Sequence, residues 1–226
     1  KKIAKKGEIE EARKLYTSVL KDSPHNEEAK NGLLALDLGK DQLDPPKAEV
    51  DSVIALYNNG QMQEALDTVE TLTKDYPNAP LLFNLSGVCY KAVGQRDAAV
   101  KSFEKALAIE PNYAEVCYNL GITLRELGQF DDAIKSYEKA LTIKHAYPNV
   151  HNNLGNILLE LRQLDTAVDH FEWAVAYKPE FSEAYNNLGI TLRALSQPDA
   201  AVKNYEKAIA LNPDYAQAHN NLGNAL

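Results

Sequence analysis

Asparagine recurs where helix is otherwise indicated. Asn119, Asn153, Asn187 and Asn221 lie thirty-four residues apart, with Asn152, Asn186 and Asn220 one position earlier and Asn156 and Asn224 three positions later. Asparagine costs roughly 0.5–0.7 kcal/mol against alanine inside a helix, so its repetition points to use of the amide. An amide donates and accepts at once. A regular row can therefore hold the backbone of an extended peptide whatever its side chains, or it can bond water and neighbouring helices. A sparser basic row, Lys91, Arg125 and Arg193, shares the spacing and runs beside Glu126 and Glu160. It could select acidic side chains on such a peptide, or be ordinary surface charge.

Other chemistry fails on spacing. His25, His145, His151, His170 and His219 pair with no Cys or His at metal-ligand spacing, so no metal site is expected. His151 and His219 share one repeat position and read as packing residues. Asp132, Glu138, Asp165, Asp169, Glu172 and Glu206 read as a solvated face, and no GxSxG or phosphate-cradling loop is present. No catalytic residue or cofactor is expected. A net charge of −8 disfavours nucleic acid as partner. Cys89 and Cys117 lack CxxC spacing and read as small core residues of a reducing, cytoplasmic setting. No apolar run nears the ~20 residues a membrane span needs, and the opening KKIAKKGE has no signal-peptide character.

The elements that carry these residues repeat. Ala114–Tyr147 aligns without a gap on Ser182–Tyr215. With Ala114 as position 1, position 8 reads Gly87, Gly121, Gly155, Gly189 and Gly223, and position 20 reads Ala65, Ala99, Ala133, Ala167 and Ala201. Position 27 reads Ala106, Ala140, Ala174 and Ala208, and position 32 reads Pro77, Pro111, Pro179 and Pro213. Leu120, Leu124 and Leu127 fall on one helical face, and Ala133, Ile134, Tyr137, Ala140 and Leu141 fall on a second. Gly128 between them suits a left-handed helix end. Glycine inside a helix costs ~1 kcal/mol relative to alanine, so Gly121 implies a close approach that a side chain would block.

A thirty-four-residue period with these marks resembles the tetratricopeptide repeat (TPR) family. The resemblance implies an all-α, right-handed superhelical solenoid of antiparallel helix pairs whose first helices line a concave groove, with positions 2, 5, 6, 9, 12 and 13 pointing into it. The asparagines occupy positions 5, 6 and 9, and the row from Asn119 to Asn221 resembles the asparagine ladder of the O-GlcNAc transferase superhelix. Position 5 reads Val50, Asn84, Tyr118, Asn152 and Asn186, which departs from TPR domains that clamp chaperone carboxylates.

In chain order, residues 1–38 read as partial N-terminal repeat helices, with a turn at Gly7, and 39–45 as a linker around Pro45 and Pro46. The array then occupies 46–226, in units 46–79, 80–113, 114–147, 148–181 and 182–215 and a truncated unit 216–226. Val53 replaces glycine in the least typical, first unit. Asn112–Glu115 and Asp214–Gln217 have capping-box spacing. Arg162 and Ser196 replace the turn glycine and His145 replaces a proline, so altered turns are expected there. Leu222 and Leu226 lack a second helix to cover them, so the natural chain is expected to continue. The expected function is a protein-interaction scaffold binding a protein or extended peptide in the groove. The alternatives are the substrate-recruiting N-terminal region of a larger glycosyl- or sulfotransferase, and a scaffold self-associating through its terminal helices.

Overall fold

A computed structural model describes residues 2–40 and 44–225. Among these residues the chain forms thirteen helices and no strand: α1 (Lys2–Asp22), α2 (Glu27–Lys40), α3 (Lys47–Asn58), α4 (Met62–Asp75), α5 (Pro80–Ala92), α6 (Arg96–Ile109), α7 (Ala114–Glu126), α8 (Phe130–Ile143), α9 (Pro148–Glu160), α10 (Leu164–Tyr177), α11 (Ser182–Ala194), α12 (Pro198–Leu211) and α13 (Ala216–Gly223). They fall into two compact units, Lys1–Pro111 and Asn112–Leu226. Within the first, α1 pairs with α2, α3 with α4 and α5 with α6. Within the second, α7, α9 and α11 each pair with the helix that follows, and α13 packs on α12.

The pairs are held by what stands at positions 8 and 24. A Cβ built on Gly121 would lie 2.5 Å from Cε1 of Tyr137, and the same clash recurs between Gly87 and Phe103, Gly155 and Phe171, and Gly189 and Tyr205. Those four aromatic side chains are fully buried. The ring of each second helix thus occupies the space that a side chain on the first would need. Where the first unit of the array has Val53 in place of glycine, its partner position holds Val69, not an aromatic, and both valines are fully buried. The two positions share one volume: glycine with a ring, or valine with valine. Position-20 alanines Ala65, Ala99, Ala133, Ala167 and Ala201 are fully buried as well, which lets the helices approach.

The intra-pair turns show a second regularity. Gly60, Gly94 and Gly128 are left-handed, with φ of 79°, 81° and 74°. Arg162 and Ser196 were expected to alter their turns, yet both take the same conformation, at φ 61° and 60°. The hydrogen bonds are also the same: Gln129 N–H donates to Leu124 O, Gln163 N–H to Leu158 O and Gln197 N–H to Leu192 O, all at 2.8–2.9 Å. A left-handed L-residue costs roughly 1–2 kcal/mol, so packing of the following helix imposes the turn. The loop at His145 does differ. There Tyr147 N–H bonds His145 O at 2.9 Å, whereas Phe181 and Tyr215 reach back three residues, to Lys178 and Asn212.

Two local expectations are corrected. α1 runs unbroken through Gly7. A helical glycine costs only about 1 kcal/mol, and the residues before it carry too few apolar positions to make a separate packed helix worth a turn. The capping boxes do not form: the N-cap residues of α7 and α13 are Tyr113 and Tyr215, and neither helix has a side-chain cap. Asn112 and Asp214 are spent in the preceding turns. Of the expected linker, residues 41–43 lie outside the described residues, as does Leu226; α2 extends to Lys40 and α3 starts after Pro46.

Gly121→Val should lower stability by about 1–3 kcal/mol through overpacking, and adding Tyr137→Val should recover part of the loss, as Val53 with Val69 suggests. Thermal melts of the two single variants and the double variant give the coupling. Arg162→Gly and Ser196→Gly should each raise stability by up to about 1 kcal/mol, since relief of the left-handed strain exceeds the added unfolded-state entropy.

Candidate functional site

Within the second unit, the first helices of successive pairs touch, α7 with α9 and α9 with α11, while no comparable contact joins α8 to α10 or α10 to α12. The stack closes on its first-helix side and opens on its second-helix side. The face shared by α7, α9 and α11 is where the asparagines stand, and the structure divides them by burial. Asn152, Asn186 and Asn221 are buried, Asn119, Asn153, Asn156 and Asn187 are half-buried, and Asn220 is exposed.

Amides of the row bond one another between pairs. Asn187 Nδ2 donates to Asn152 Oδ1 at 3.1 Å, and Asn221 Nδ2 donates to Asn186 Oδ1 at 2.9 Å. Each rung joins position 5 of one pair to position 6 of the next. Asn152 Nδ2 passes on to Glu183 Oε1 at 3.1 Å. α7 has Tyr118 at position 5, and burial raises its phenol pKa with the nearby Asn153 amide opposing the rise. Part of the amide row is therefore a brace between successive first helices. A buried amide group left without its partner costs ~1–3 kcal/mol, which is why these positions repeat.

Of the basic row, Lys91 stands in the last turn of α5, in the first unit. Arg125 and Arg193 stand in the last turns of α7 and α11. Arg125 Nη2 reaches Glu160 Oε1 of α9 at 2.6 Å, across two successive pairs, both side chains partly exposed. An exposed pair of this kind contributes ~0–1 kcal/mol, but it neutralises the cation expected to select acidic side chains. Beside it a cavity of about 320 Å³ opens between α7, α8 and α9. The side chains of Ile122, Phe130 and Tyr137 were not among those expected to form a site, yet they line it with Asn153 and Glu126. Tyr137 is fully buried and its hydroxyl makes no hydrogen bond of ordinary geometry, as is also true of Tyr205. Burial drives the Tyr137 phenol pKa well up, with the nearby Asn153 amide opposing it. The sequence carried one available signal: tyrosine stands at position 24 in the units that have arginine at position 12, and phenylalanine in the two whose position 12 holds Lys91 or Leu159.

Packing also brings together histidines that are far apart in sequence. His151 on α9 and His170 on α10 face each other with Nδ1 atoms 3.1 Å apart, and His151 Nε2 lies 3.1 Å from the His145 carbonyl. The carbonyl only accepts, so His151 carries its proton on Nε2 and accepts from His170 Nδ1–H. His219 makes the equivalent bond to Pro213 O at 2.8 Å. The position-4 histidine is thus a clasp on the loop before its helix. His145 packs edge-on against Trp173 and Tyr177, and Trp173 is 46% exposed. Among the described residues no group of three His, Cys, Asp or Glu is placed to hold a metal ion, and none of their helices is long and apolar enough to cross a membrane. Cys89 and Cys117 are free and buried, and burial pushes the Cys89 thiol pKa up to about 11.

Comparison with known families agrees with this geometry. Tetratricopeptide-repeat models match residues 79–113, 102–135 and 152–196, and a TPR-repeat model matches 123–162 and 191–226, which together run through residues 79–226. The chain belongs to the tetratricopeptide-repeat family. Repeats of this family act as protein-interaction scaffolds. Its fold is shared by solved TPR structures. MamA residues 41 to the end from Desulfovibrio magneticus is 21% identical, with TM-score 0.68 and coverage of 75% of this chain and 96% of that one. YrrB, described as a TPR protein with an unusual peptide-binding site, is 19% identical, with TM-score 0.64 and coverage of 91% and 96%. Pseudomonas aeruginosa pilF is 16% identical, with TM-score 0.70 and coverage of 79% and 87%. Among curated protein sequences no match was found.

Burial holds the His151 pKa at about 4 in the fold, against the opposing bond to the His145 carbonyl and with smaller help from the His170 and His145 rings. The unfolded chain, with a pKa near 6.5, binds that proton first as pH falls. Stability of this TPR protein should therefore be full above about pH 6.5, decline as pH falls from there to about 4, and lose up to about 3 kcal/mol from this residue. His151→Tyr, which takes the residue of the equivalent Tyr185, should flatten the decline in melts across that range. Asn221→Ala should cost ~1–3 kcal/mol by leaving Asn186 unpaired.

Proposed function

We propose that the face formed by α7, α9 and α11 binds an extended segment of a partner protein, with the half-buried asparagines contacting its backbone. The observation that carries this reading is the convergence of the first helices on a polar, amide-bearing face that the Asn152–Asn187 and Asn186–Asn221 rungs hold in register. Rigid placement lowers the ordering cost of binding. Asn153 and Asn156, one turn apart on α9, are the residues assigned to the peptide backbone. Asn119, Asn187 and the exposed Asn220 extend the row, while Asn152, Asn186 and Asn221 support it from beneath. The resemblance of the fold to YrrB, a TPR protein with a peptide-binding site, supports the same reading. The net charge of −8 argues for a protein partner over nucleic acid, and the free cysteines fit a cytoplasmic setting.

The test is a titration of unrelated extended peptides selected on the parent protein, repeated on Asn153→Ala/Asn156→Ala and on Trp173→Ala, with circular dichroism confirming the fold. Two lost hydrogen bonds of ~0.5–1.5 kcal/mol each should weaken every peptide by roughly five- to a hundred-fold in the asparagine variant, whatever its sequence, and leave Trp173→Ala unaffected. The reverse pattern would move the binding surface to the aromatic patch on α10.

A further inference from the structure

α10 departs from the other second helices on the side it turns to solvent. Position 26 holds Lys105, Lys139 and Lys207 in α6, α8 and α12 but Trp173 in α10. Position 22 holds Lys101, Lys135 and Lys203 in the same helices but Asp169 in α10. Positions 18 and 25 are acidic in all four, so Asp165 and Glu172 stay while both cations are gone. α10 is left with three carboxylates and no lysine or arginine. Asp165, Asp169, Glu172 and Trp173 are all exposed and fall on one helical face. In α8 Lys135 pairs with Asp132 at 2.8 Å, whereas among the described residues none of the α10 carboxylates is in an ion pair. Lys178, the first cation after the helix, has its Nζ 4.6 Å from the Phe181 ring centroid. Asp169 lies near His170, but burial lowers the pKa of that imidazole, so it supplies no cation at neutral pH.

The indole is also held in place. It stacks on Tyr177 with ring centroids 5.6 Å apart and planes at 18°, and His145 meets it edge-on at 5.6 Å. Packing does not require it, since lysine serves at the same position of α6, α8 and α12. Nearly half of its surface, 46%, still faces solvent. A fixed aromatic face beside carboxylates without counter-ions is complementary to a cation. The planar guanidinium of arginine suits it best, because it stacks on indole while its N–H groups reach carboxylates. Tryptophan and arginine are also among the residues that carry most binding energy where protein partners meet.

We propose that the exposed face of α10 is a second docking surface, and that its occupant is an arginine-bearing segment of a partner protein. The guanidinium lies against Trp173, and the carboxylates of Asp169 and Glu172 accept its N–H groups. This surface is separate from the asparagine-bearing face and does not rest on the reading of that face. One senses peptide backbone, the other positive charge. Peptides that carry neither lysine nor arginine address the first-helix face alone.

Trp173 is the one tryptophan of the chain, so its emission reports on this surface directly. The probes are labelled nine-residue glycine–serine peptides with two central arginines, lysines or citrullines, citrulline keeping the shape of arginine without its charge. At low salt the arginine peptide should shift the Trp173 emission and bind at least about ten-fold tighter than the citrulline peptide, with the lysine peptide between them. The preference should shrink at high salt. Asp169→Lys with Trp173→Lys, which puts back the residues of α8, should melt like the parent and bind the arginine peptide at least about ten-fold more weakly by anisotropy. Asn153→Ala/Asn156→Ala should bind it as the parent does. Equal binding of the arginine and citrulline peptides, or binding of neither, would overturn the proposal and leave the first-helix face untouched. Binding without a change in Trp173 emission, parent-like affinity in the lysine variant, or loss in the asparagine variant would overturn the location.

Discussion

An aromatic ring set where the paired helix has glycine is the contact on which the repeat depends. It needs glycine at position 8 and a large ring at position 24, and neither residue is acceptable alone. With Tyr137 in place, a Cβ on Gly121 has nowhere to go; with glycine but no ring, the pair would enclose a void, which costs in proportion to its volume. Val53 with Val69 fills the same space by a different division. The fixed depth of this contact brings each second helix close to its first, and the position-20 and position-27 alanines are the consequence at neighbouring sites. The turn follows too: the approach is close enough that Arg162 and Ser196 take the left-handed conformation that glycine takes elsewhere.

From that spacing comes the face. Once each pair is narrow, successive first helices meet, and polar side chains on them must find partners across the junction or remain unsatisfied. The amides at positions 5 and 6 meet this in part by bonding each other, although Asn186 Nδ2 stays without a partner. The buried members and the half-buried Asn187 fix the helices, and on the proposed reading Asn153 and Asn156 present a surface whose geometry is set before any ligand arrives. On the opposite side His151 and His219 clasp the loops before their helices by a carbonyl bond, so loop placement also depends on a position that sequence reading assigned only to packing.

Much of this was legible in the sequence because it is periodic. The helix pairs, the glycine–alanine positions and the left-handed turn at Gly128 all follow from spacing, and the close approach at Gly121 followed from the cost of a helical glycine. What spacing could not show was which atoms meet across pairs. That Asn187 bonds Asn152, thirty-five residues away, depends on the stagger between units. His151 and His170 meet within one helix pair, where α10 packs back on α9, although their separation of nineteen residues fits no ligand pattern. The turn expected at Gly7 failed because a position in the register does not make a turn unless two packed helices require it. The cavity at Tyr137 was missed because a position-24 aromatic reads as core, and only its unpartnered hydroxyl separates it from Phe103 and Phe171.

The central claim is that the α7–α9–α11 face, braced by its own asparagines, is the surface proposed to meet an extended peptide segment. The most direct test is chemical-shift mapping of the full chain during titration with an extended peptide, free of lysine and arginine, selected on the parent protein. The account predicts that the shifts concentrate on Asn153 and Asn156, with the side-chain amides of Asn152 and Asn186 little changed because they remain in their rungs. Shifts centred instead on Trp173, Tyr177 and His145, with Asn153 and Asn156 unmoved, would contradict it.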